Sequence, residues 1–328
     1  MFELFRGKTV LVAGGAGFIG TNVIKKLIEI GDARIRATIH KKKPLFRDSS
    51  IDYVKCDLTE KAACQKVVQG VDIIFLCAAS TSGAAVIAKT PLVHVTPNVV
   101  MNSLLLEAAY NAKVKKFVWL SSNAAYPDTG ARPVKEDEMF DGDPYECYYA
   151  VGWMKRYTEI LCKMYSMKLK DPMPCIVVRP SNIYGPFDDY DFATSHVMAA
   201  MIRKVAQRHD PIQMWGTGDD VRDMIYVDDF VDALFLATEK IDTFDPVNVG
   251  LGAGFSLKEI LKTILEADGY GGARVVYDPT KPSMIPIRLL DTSKAEKVLG
   301  FKARTGIREG AIKTIEWYRQ TYGSRGTV

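Results

Sequence analysis

The chain has 328 residues, of which 48% are hydrophobic and 25% charged, with a formal net charge of +4. That length suits about two domains, or one large α/β domain with a smaller attachment. The composition excludes disorder, a collagen-like repeat and a disulfide scaffold. The longest apolar runs, such as 71–79, fall far short of the ~20 residues that cross a bilayer, and a net +4 argues for no nucleic-acid partner.

In chain order, β-branched runs alternate with helical patterns. Residues 9–13 read as a strand and 21–30 as an amphipathic helix. Strands follow at 34–39 and 52–56, and a continuous apolar strand at 71–77 reads as buried on both faces. A helix is predicted at 97–111, a strand at 116–121, a helix at 151–165 and a strand at 175–179. This βαβ alternation predicts a doubly wound parallel α/β sheet of the Rossmann type over residues 1–185. After Tyr184-Gly185-Pro186 the segments shorten. Helical patterns at 195–208, 227–238, 256–267 and 305–321 suggest a smaller mixed α/β lobe over 186–328, partly interleaved with the first. Six cysteines lie scattered with no CxxC pair, and no signal-peptide pattern is seen, so reduced thiols and a cytoplasmic location are expected. The four histidines show no zinc spacing, and no metal is expected.

Gly14, Gly17 and Gly20 form GxxGxxG between the first strand and the first helix. Glycine permits the tight turn and lets a pyrophosphate approach the backbone, where the helix N-terminus offers unpaired N–H groups. The second strand ends in Ile39-His40-Lys41-Lys42-Lys43. A carboxylate there would accept bonds from the ribose of NAD. Its absence, with cations in its place, favours NADP(H) over NAD(H), with His40 and Lys41 as the contacts. Lys42 and Lys43 fit a solvated loop. Asp57 suits either a bond to the adenine amino group or a cap on the helix starting near Thr59.

The fifth strand runs into Ser121-Ser122-Asn123-Ala124-Ala125-Tyr126-Pro127. About 30 residues on stands Tyr148-Tyr149-Ala150-Val151-Gly152-Trp153-Met154-Lys155, followed by Glu159 and by Arg179-Pro180-Ser181-Asn182-Ile183-Tyr184-Gly185-Pro186. Together with the glycine turn, Trp215-Gly216-Thr217-Gly218, Arg222 and Tyr226-Val227-Asp228-Asp229, these segments resemble the extended short-chain dehydrogenase/reductase family. This is also called the NAD-dependent epimerase/dehydratase family, and the likeness covers nearly the whole chain. Within it the GDP-L-fucose synthase branch is most similar, and the GDP-mannose 3,5-epimerase branch more loosely so. Ser195-His196-Val197 resembles the helix that carries the acid/base histidine of the fucose synthases.

The resemblance implies a Ser/Thr, a Tyr and a Lys at the reacting centre. The lysine holds the nicotinamide ribose and lowers the tyrosine pKa; the tyrosine moves a proton at the sugar oxygen. It implies Ser122, Lys155 and His196 as catalytic. It also implies Phe18, Ile19, Leu58, Ala78, Lys155 and Pro180 around the cofactor. Tyrosine and lysine should stand four apart, on one helix face. Four before Lys155 stands Val151, and four after Tyr149 stands Trp153. The offsets of Glu159, Leu161, Cys162 and Tyr165 support the lysine register, so Val151 occupies the tyrosine position. Tyr148 or Tyr149 substitutes only if the helix start is unwound or bulged. A second departure is Ala124, where the fucose synthases and the mannose epimerases carry an acid/base cysteine.

On the substrate side, Arg222 suits a bidentate clamp on a sugar-nucleotide diphosphate or, alternatively, a surface salt bridge with Asp219, Asp220 or Asp223. Asn182 suits a substrate contact or an Asx turn. Arg203 (with Lys204), Arg288 and Ser82 complete the candidates. The expected activity is NADP(H)-dependent reduction of a nucleotide-diphosphate sugar, with a GDP-linked 4-keto-6-deoxy sugar preferred. A nucleotide-sugar 4-epimerase with tightly bound NAD(P) and a catalytically impaired cofactor-binding protein are the alternatives. The family also implies a homodimer. The basic end of the second strand generates a direct test: NADPH should bind at least tenfold more tightly than NADH in a fluorescence titration. Equal affinities would remove the argument.

Overall fold

The computed structural model describes residues 2–80, 90, 92–281 and 284–323. β1 (Thr9–Ala13) leads through the glycine turn into α1 (Phe18–Ile30). β2 (Arg34–Ile39), β3 (Ile51–Lys55), α2 (Lys61–Val67), β4 (Ile73–Leu76) and α3 (Leu92–Asn111) follow. β5 (Lys116–Leu120), α4 (Tyr149–Met167) and β6 (Cys175–Pro180) come next. Then come β7 (Asn182–Tyr184), α5 (Val197–Ala206), β8 (Ile212–Trp215), β9 (Val221–Tyr226) and α6 (Val227–Lys240). β10 (Val247–Val249), β11 (Gly254–Ser256), α7 (Leu257–Ala267), β12 (Val275–Asp278), β13 (Ile287–Arg288) and α8 (Ile307–Tyr322) complete the chain.

Seven strands form one sheet in the order β10-β6-β5-β4-β1-β2-β3. Every neighbouring pair in it is parallel. Strand order reverses between β1 and β4, and the carboxyl ends there open the crevice in which such sheets bind ligands. The alternation of β1 explains its burial. Val10 and Val12 join one apolar layer with Val23, Ile24 and Leu27 of α1 and Phe230 and Leu234 of α6. Leu11 and Ala13 join the opposite layer with Leu105 and Leu106 of α3 and Cys162 of α4. A strand covered on both faces has no polar face to show, so it reads as a continuous apolar run.

A third apolar layer lies between α5, α7, α8 and the short strands of the second half. There β9 pairs with β7, β11 and β13, and β8 with β12. β10, from the second half, returns to the edge of the main sheet beside β6. Three helices begin earlier than the sequence suggests, and the first of them, α1, starts at Phe18 rather than at residue 21. α3 runs through Pro97 rather than starting at it. α4 starts at Tyr149, after a 3₁₀ turn at Glu146–Tyr148. The six cysteines are free thiols. Among the described residues no His/Cys/Asp/Glu group could hold a metal, and no helix is long and apolar enough to cross a membrane.

Candidate active site

The glycine turn sits at the crevice. Gly14 has φ +91, and a Cβ there would lie 2.6 Å from the Ala78 backbone, where the ends of β1 and β4 meet. A Cβ on Gly20 would lie 2.2 Å from the Gly14 carbonyl oxygen. Gly17 differs: a Cβ there meets only that same oxygen, at 3.3 Å. Gly17 is the N-cap of α1 and supplies no side-chain acceptor. The N–H groups of Phe18 and Ile19 therefore start an uncapped helix over open backbone, which fits a pyrophosphate. The Gly14 N–H donates to Thr38 Oγ1 at 2.8 Å and the Gly15 N–H to the Thr38 carbonyl at 2.9 Å, fixing the turn to β2.

At the end of β2, His40 Nε2 lies 3.5 Å from Asp57 Oδ2. Asp57 Oδ1 accepts from the Thr59 hydroxyl at 2.7 Å and the Thr59 N–H at 2.9 Å. These bonds hold its carboxyl below the usual range. α2 begins only at Lys61, with Glu60 as N-cap. Asp57 therefore stiffens the turn after β3, where Leu58 is buried, and does not cap the helix. Lys41, Lys42 and Lys43 are exposed, and Lys42 Nζ stands 3.8 Å from Asp189. Arg47, which the sequence reading passed over, lines an open groove here with Ile39, Pro44 and Tyr53. It stands four residues past the lysine run in irregular backbone, where no periodicity marks it.

The candidate reacting centre lies where α4 crosses the end of β5. A Cβ on Gly152 would lie 2.5 Å from Pro144 and 3.0 Å from the Ala124 carbonyl, so the helix start presses on the serine segment. Lys155 Nζ donates to the Leu120 carbonyl at 2.8 Å and lies 4.8 Å from the Trp119 ring centroid. Burial pushes this ammonium down to about 8, against the opposing charge of Glu159. Ser122 is half-buried, and its Oγ accepts from the Ala124 N–H at 3.1 Å, which leaves its own hydroxyl proton free to donate. Val151 is half-buried one turn before Lys155. The two tyrosines diverge from it. Tyr149 is 53% exposed, its ring 6.5 Å from that of Trp153. Tyr148 precedes the helix as its N-cap. Burial pushes its hydroxyl up to about 12, and Arg222 and Arg288 oppose that shift.

Behind this centre lies a buried polar network. Glu159 and Arg179 are 1% and 3% exposed. Arg179 donates to both Glu159 oxygens, from Nε at 2.9 Å and Nη2 at 2.5 Å. Ser121 Oγ donates to Glu159 at 2.5 Å. Arg179 Nη1 donates to the Tyr126 hydroxyl at 2.7 Å, and that hydroxyl donates to Asn248 Oδ1 at 2.7 Å.

Across the crevice, Arg222 on β9 and Arg288 on β13 are register partners on adjacent parallel strands. Both are buried. Arg222 Nη2 reaches Asp220 at 3.3 Å, one of the three aspartates of the salt-bridge alternative; the arginine is buried and its partner half-buried. Arg288 donates to the Pro127 and Tyr126 carbonyls, and its Nε is buried with no partner. Cys147, one of the six scattered cysteines, stands in the same cluster. Burial raises its thiol, and Arg222 is the largest charge opposing that. Only the tertiary register brings it there.

The remaining candidates separate from this cluster. Asn182 Nδ2 donates to the Asp223 carbonyl at 3.0 Å, which ties β7 to β9. Arg203 Nη1 donates to the Tyr190 carbonyl at 2.8 Å, and its guanidinium lies 4.0 Å over Phe192. Both of those contacts fasten a loop. His196 is the exposed N-cap of α5 and not a residue on its helical face, because helical geometry starts only at Val197. Pro180 is buried at the end of β6. Ser82 lies outside the described residues.

A family profile described as "NAD dependent epimerase/dehydratase family" matches residues 10–250. The chain belongs to that family. It is similar to a probable GDP-L-fucose synthase 1 of Oryza sativa subsp. japonica, 27% identical over 321 residues, covering 95% of this chain and 92% of the relative. It is also similar to the GDP-L-fucose synthase of Escherichia coli K12, 26% identical over 325 residues, covering 94% and 96%. Among solved structures, a UDP-glucose 4-epimerase from Thermotoga maritima with UDP-glucose superposes with a TM-score of 0.85 at 27% identity, covering 95% and 99%. This membership makes the chain an NAD(P)-dependent enzyme of the epimerase/dehydratase kind.

The buried pair makes a stability prediction. Glu159→Gln leaves the Arg179 guanidinium without its counter-charge and should cost about 3–5 kcal/mol in denaturant unfolding, with part recovered in the double variant Glu159→Gln/Arg179→Met.

Proposed function

We propose that the protein is an NADP(H)-dependent reductase of a nucleotide-diphosphate sugar, with a GDP-linked 4-keto-6-deoxy sugar as the preferred substrate. The observation that carries this reading is the buried Arg222–Arg288 pair. Two guanidiniums stand side by side: Arg222 has half-buried Asp220 as its carboxylate, Arg288 is bonded to backbone carbonyls with exposed Asp128 acting on it, and one buried N–H has no acceptor. A buried cationic excess of this kind favours an anion, and a diphosphate supplies paired oxygens for it. The similarity to GDP-L-fucose synthases over nearly the whole chain supports the guanosine form.

In this reading, residues 1–185 hold the cofactor and residues 186–328 shape the sugar-nucleotide pocket. The pyrophosphate rests on Gly14, Gly17 and the first turn of α1, while His40 and Lys41 meet the 2′-phosphate. Lys155 holds the nicotinamide ribose, and Ser122 donates to the substrate carbonyl. The cofactor, when bound, supplies the hydride. With Ala124 at the position of the acid/base cysteine, His196 stands without its expected partner for two-sided epimerisation. That favours plain reduction.

The 4-epimerase alternative draws support from the solved UDP-glucose 4-epimerase, and the impaired alternative from Val151. Absorbance at 340 nm, together with chromatography of the sugar nucleotides, separates the three. A reductase consumes NADPH stoichiometrically with a GDP-4-keto-6-deoxy sugar. An epimerase interconverts sugars with no net loss, and an impaired protein binds cofactor and turns over nothing.

We place the protein in the cytoplasm as a homodimer. Tyr149, Trp153, Tyr157, Ile160 and Met167 form an exposed apolar stripe on α4 at helical spacing, beside exposed Val100 of α3. Sedimentation velocity should show a species of twice 36.4 kDa, and Ile160→Asp should convert it to the monomer.

A further inference from the structure

Val151 raises a question that the reductase reading leaves open, namely the source of the proton that accompanies hydride. We propose that Lys155 supplies it, across one water molecule standing in the space that a tyrosine ring would fill above Val151. This inference rests on the reductase reading.

The geometry narrows the candidates among the described residues. Val151 and Lys155 lie one turn apart on the same face of α4, about 6 Å along the axis. Valine stops at its γ-methyls and is only half-buried, so its side chain does not fill a phenol's reach and a water can enter from the open side. A water needs only ~30 Å³ and two or more polar partners. Lys155 Nζ provides one partner and the substrate oxygen the other.

The alternative donors are engaged elsewhere. Tyr149 points outward onto Trp153. Tyr148 stands before the helix in the field of Arg222 and Arg288. Tyr126 already donates to Asn248 and accepts from Arg179. Glu159 is held by two Arg179 bonds and Ser121. Ser122 orients the carbonyl, but a serine alkoxide is too basic to be left behind near neutral pH. His196 caps α5, and its surroundings hold its imidazole below the usual range, so it is mostly neutral near pH 7 and a weak acid there.

Lys155 has three N–H groups, of which one goes to the Leu120 carbonyl. Burial also makes it a stronger acid than an ordinary lysine, with its pKa brought down to about 8. It is still mostly protonated at pH 7. A donor of that strength suits proton transfer near neutral pH.

The step balances. Hydride adds to the carbonyl carbon, and the C=O π pair moves to oxygen. That oxygen takes a proton from the water, and the water takes one from Lys155. The resulting amine regains its proton from solvent. In relatives with the tyrosine, the lysine is expected to tune a phenol; here it acts as the acid itself.

The donor must be protonated, so turnover should be level below the lysine pKa and fall as pH rises through it. The experiment pairs two readouts. One is the titration of the Lys155 ¹³Cε resonance in the NADPH complex. The other is the pH dependence of kcat for reduction. The expected result is a kcat limb near pH 8 that coincides with the Lys155 titration. Lys155→Arg keeps the charge but holds its proton throughout. It should lower kcat by about 10²–10⁴ and erase the limb, with a much smaller change in the NADPH dissociation constant. Val151→Ala, which only widens the space, should keep the limb in place. Lys155 titrating near 10.5, or a limb that survives in Lys155→Arg, overturns the inference while leaving the reductase reading intact. A wild-type protein that binds NADPH and reduces none of the 4-keto sugars overturns both.

Discussion

The placement of α4 against the sheet depends on one buried ion pair, Glu159 with Arg179. Glu159 belongs to α4 and Arg179 to β6, and Ser121 at the end of β5 joins them through the same carboxylate. Three elements are thereby fixed at one point. Arg179 carries the link onward to Tyr126, and through it to Asn248 on β10 at the sheet edge. Such a pair contributes little net stability against an apolar replacement, since desolvation offsets most of the attraction. What it contributes is position. Both oxygens and both guanidinium edges are satisfied only when helix and strands stand in this arrangement, and Lys155 lies one turn from Glu159 on the same helix.

That placement turns the lysine toward the carboxyl end of β5. The ammonium meets the Leu120 carbonyl and the Trp119 ring in a site where burial weakens its hold on the proton. The same face carries Val151, so the apolar position and the weakened ammonium are consequences of a single helix orientation. The tyrosines just upstream fall on other faces or outside the helix altogether. Two neighbouring positions, Tyr148 and Tyr149, were open as proton donors in the sequence, and the helix start turns both away from this face.

The second half of the chain completes the crevice through two arginines rather than through a continuous surface. β9 has six residues and β13 only two, yet their register sets Arg222 beside Arg288. The Arg288 guanidinium reaches back to the carbonyls of Tyr126 and Pro127. Tyr126 is therefore held from both halves, by Arg179 through its hydroxyl and by Arg288 through its carbonyl. The cofactor side and the cationic cluster share a structural residue, which couples the geometry of one to the other.

Much of the first half was legible in the sequence because its signals are local. A five-residue apolar strand, a glycine triplet and an amphipathic helix follow one another within thirty residues, and β1, β2 and α1 appear where those patterns lie. The lysine register was legible too, since helical offsets are fixed by backbone geometry. Helix starts were less so: α3 runs through Pro97, and α4 begins two residues early because a 3₁₀ turn feeds it. The strands β8, β9 and β11–β13 are too short, or too polar on one side, for a period of two to stand out. By itself the sequence determined the nucleotide-binding core, the absence of a tyrosine four before Lys155 and the cations at the end of β2. Only the tertiary structure decided which side chains share a space: Arg222 with Arg288, Cys147 and Tyr148 with both, Glu159 with Arg179. Those contacts join residues from 20 to more than 100 positions apart. Chain order carries no distance at that range, and only packing supplies one.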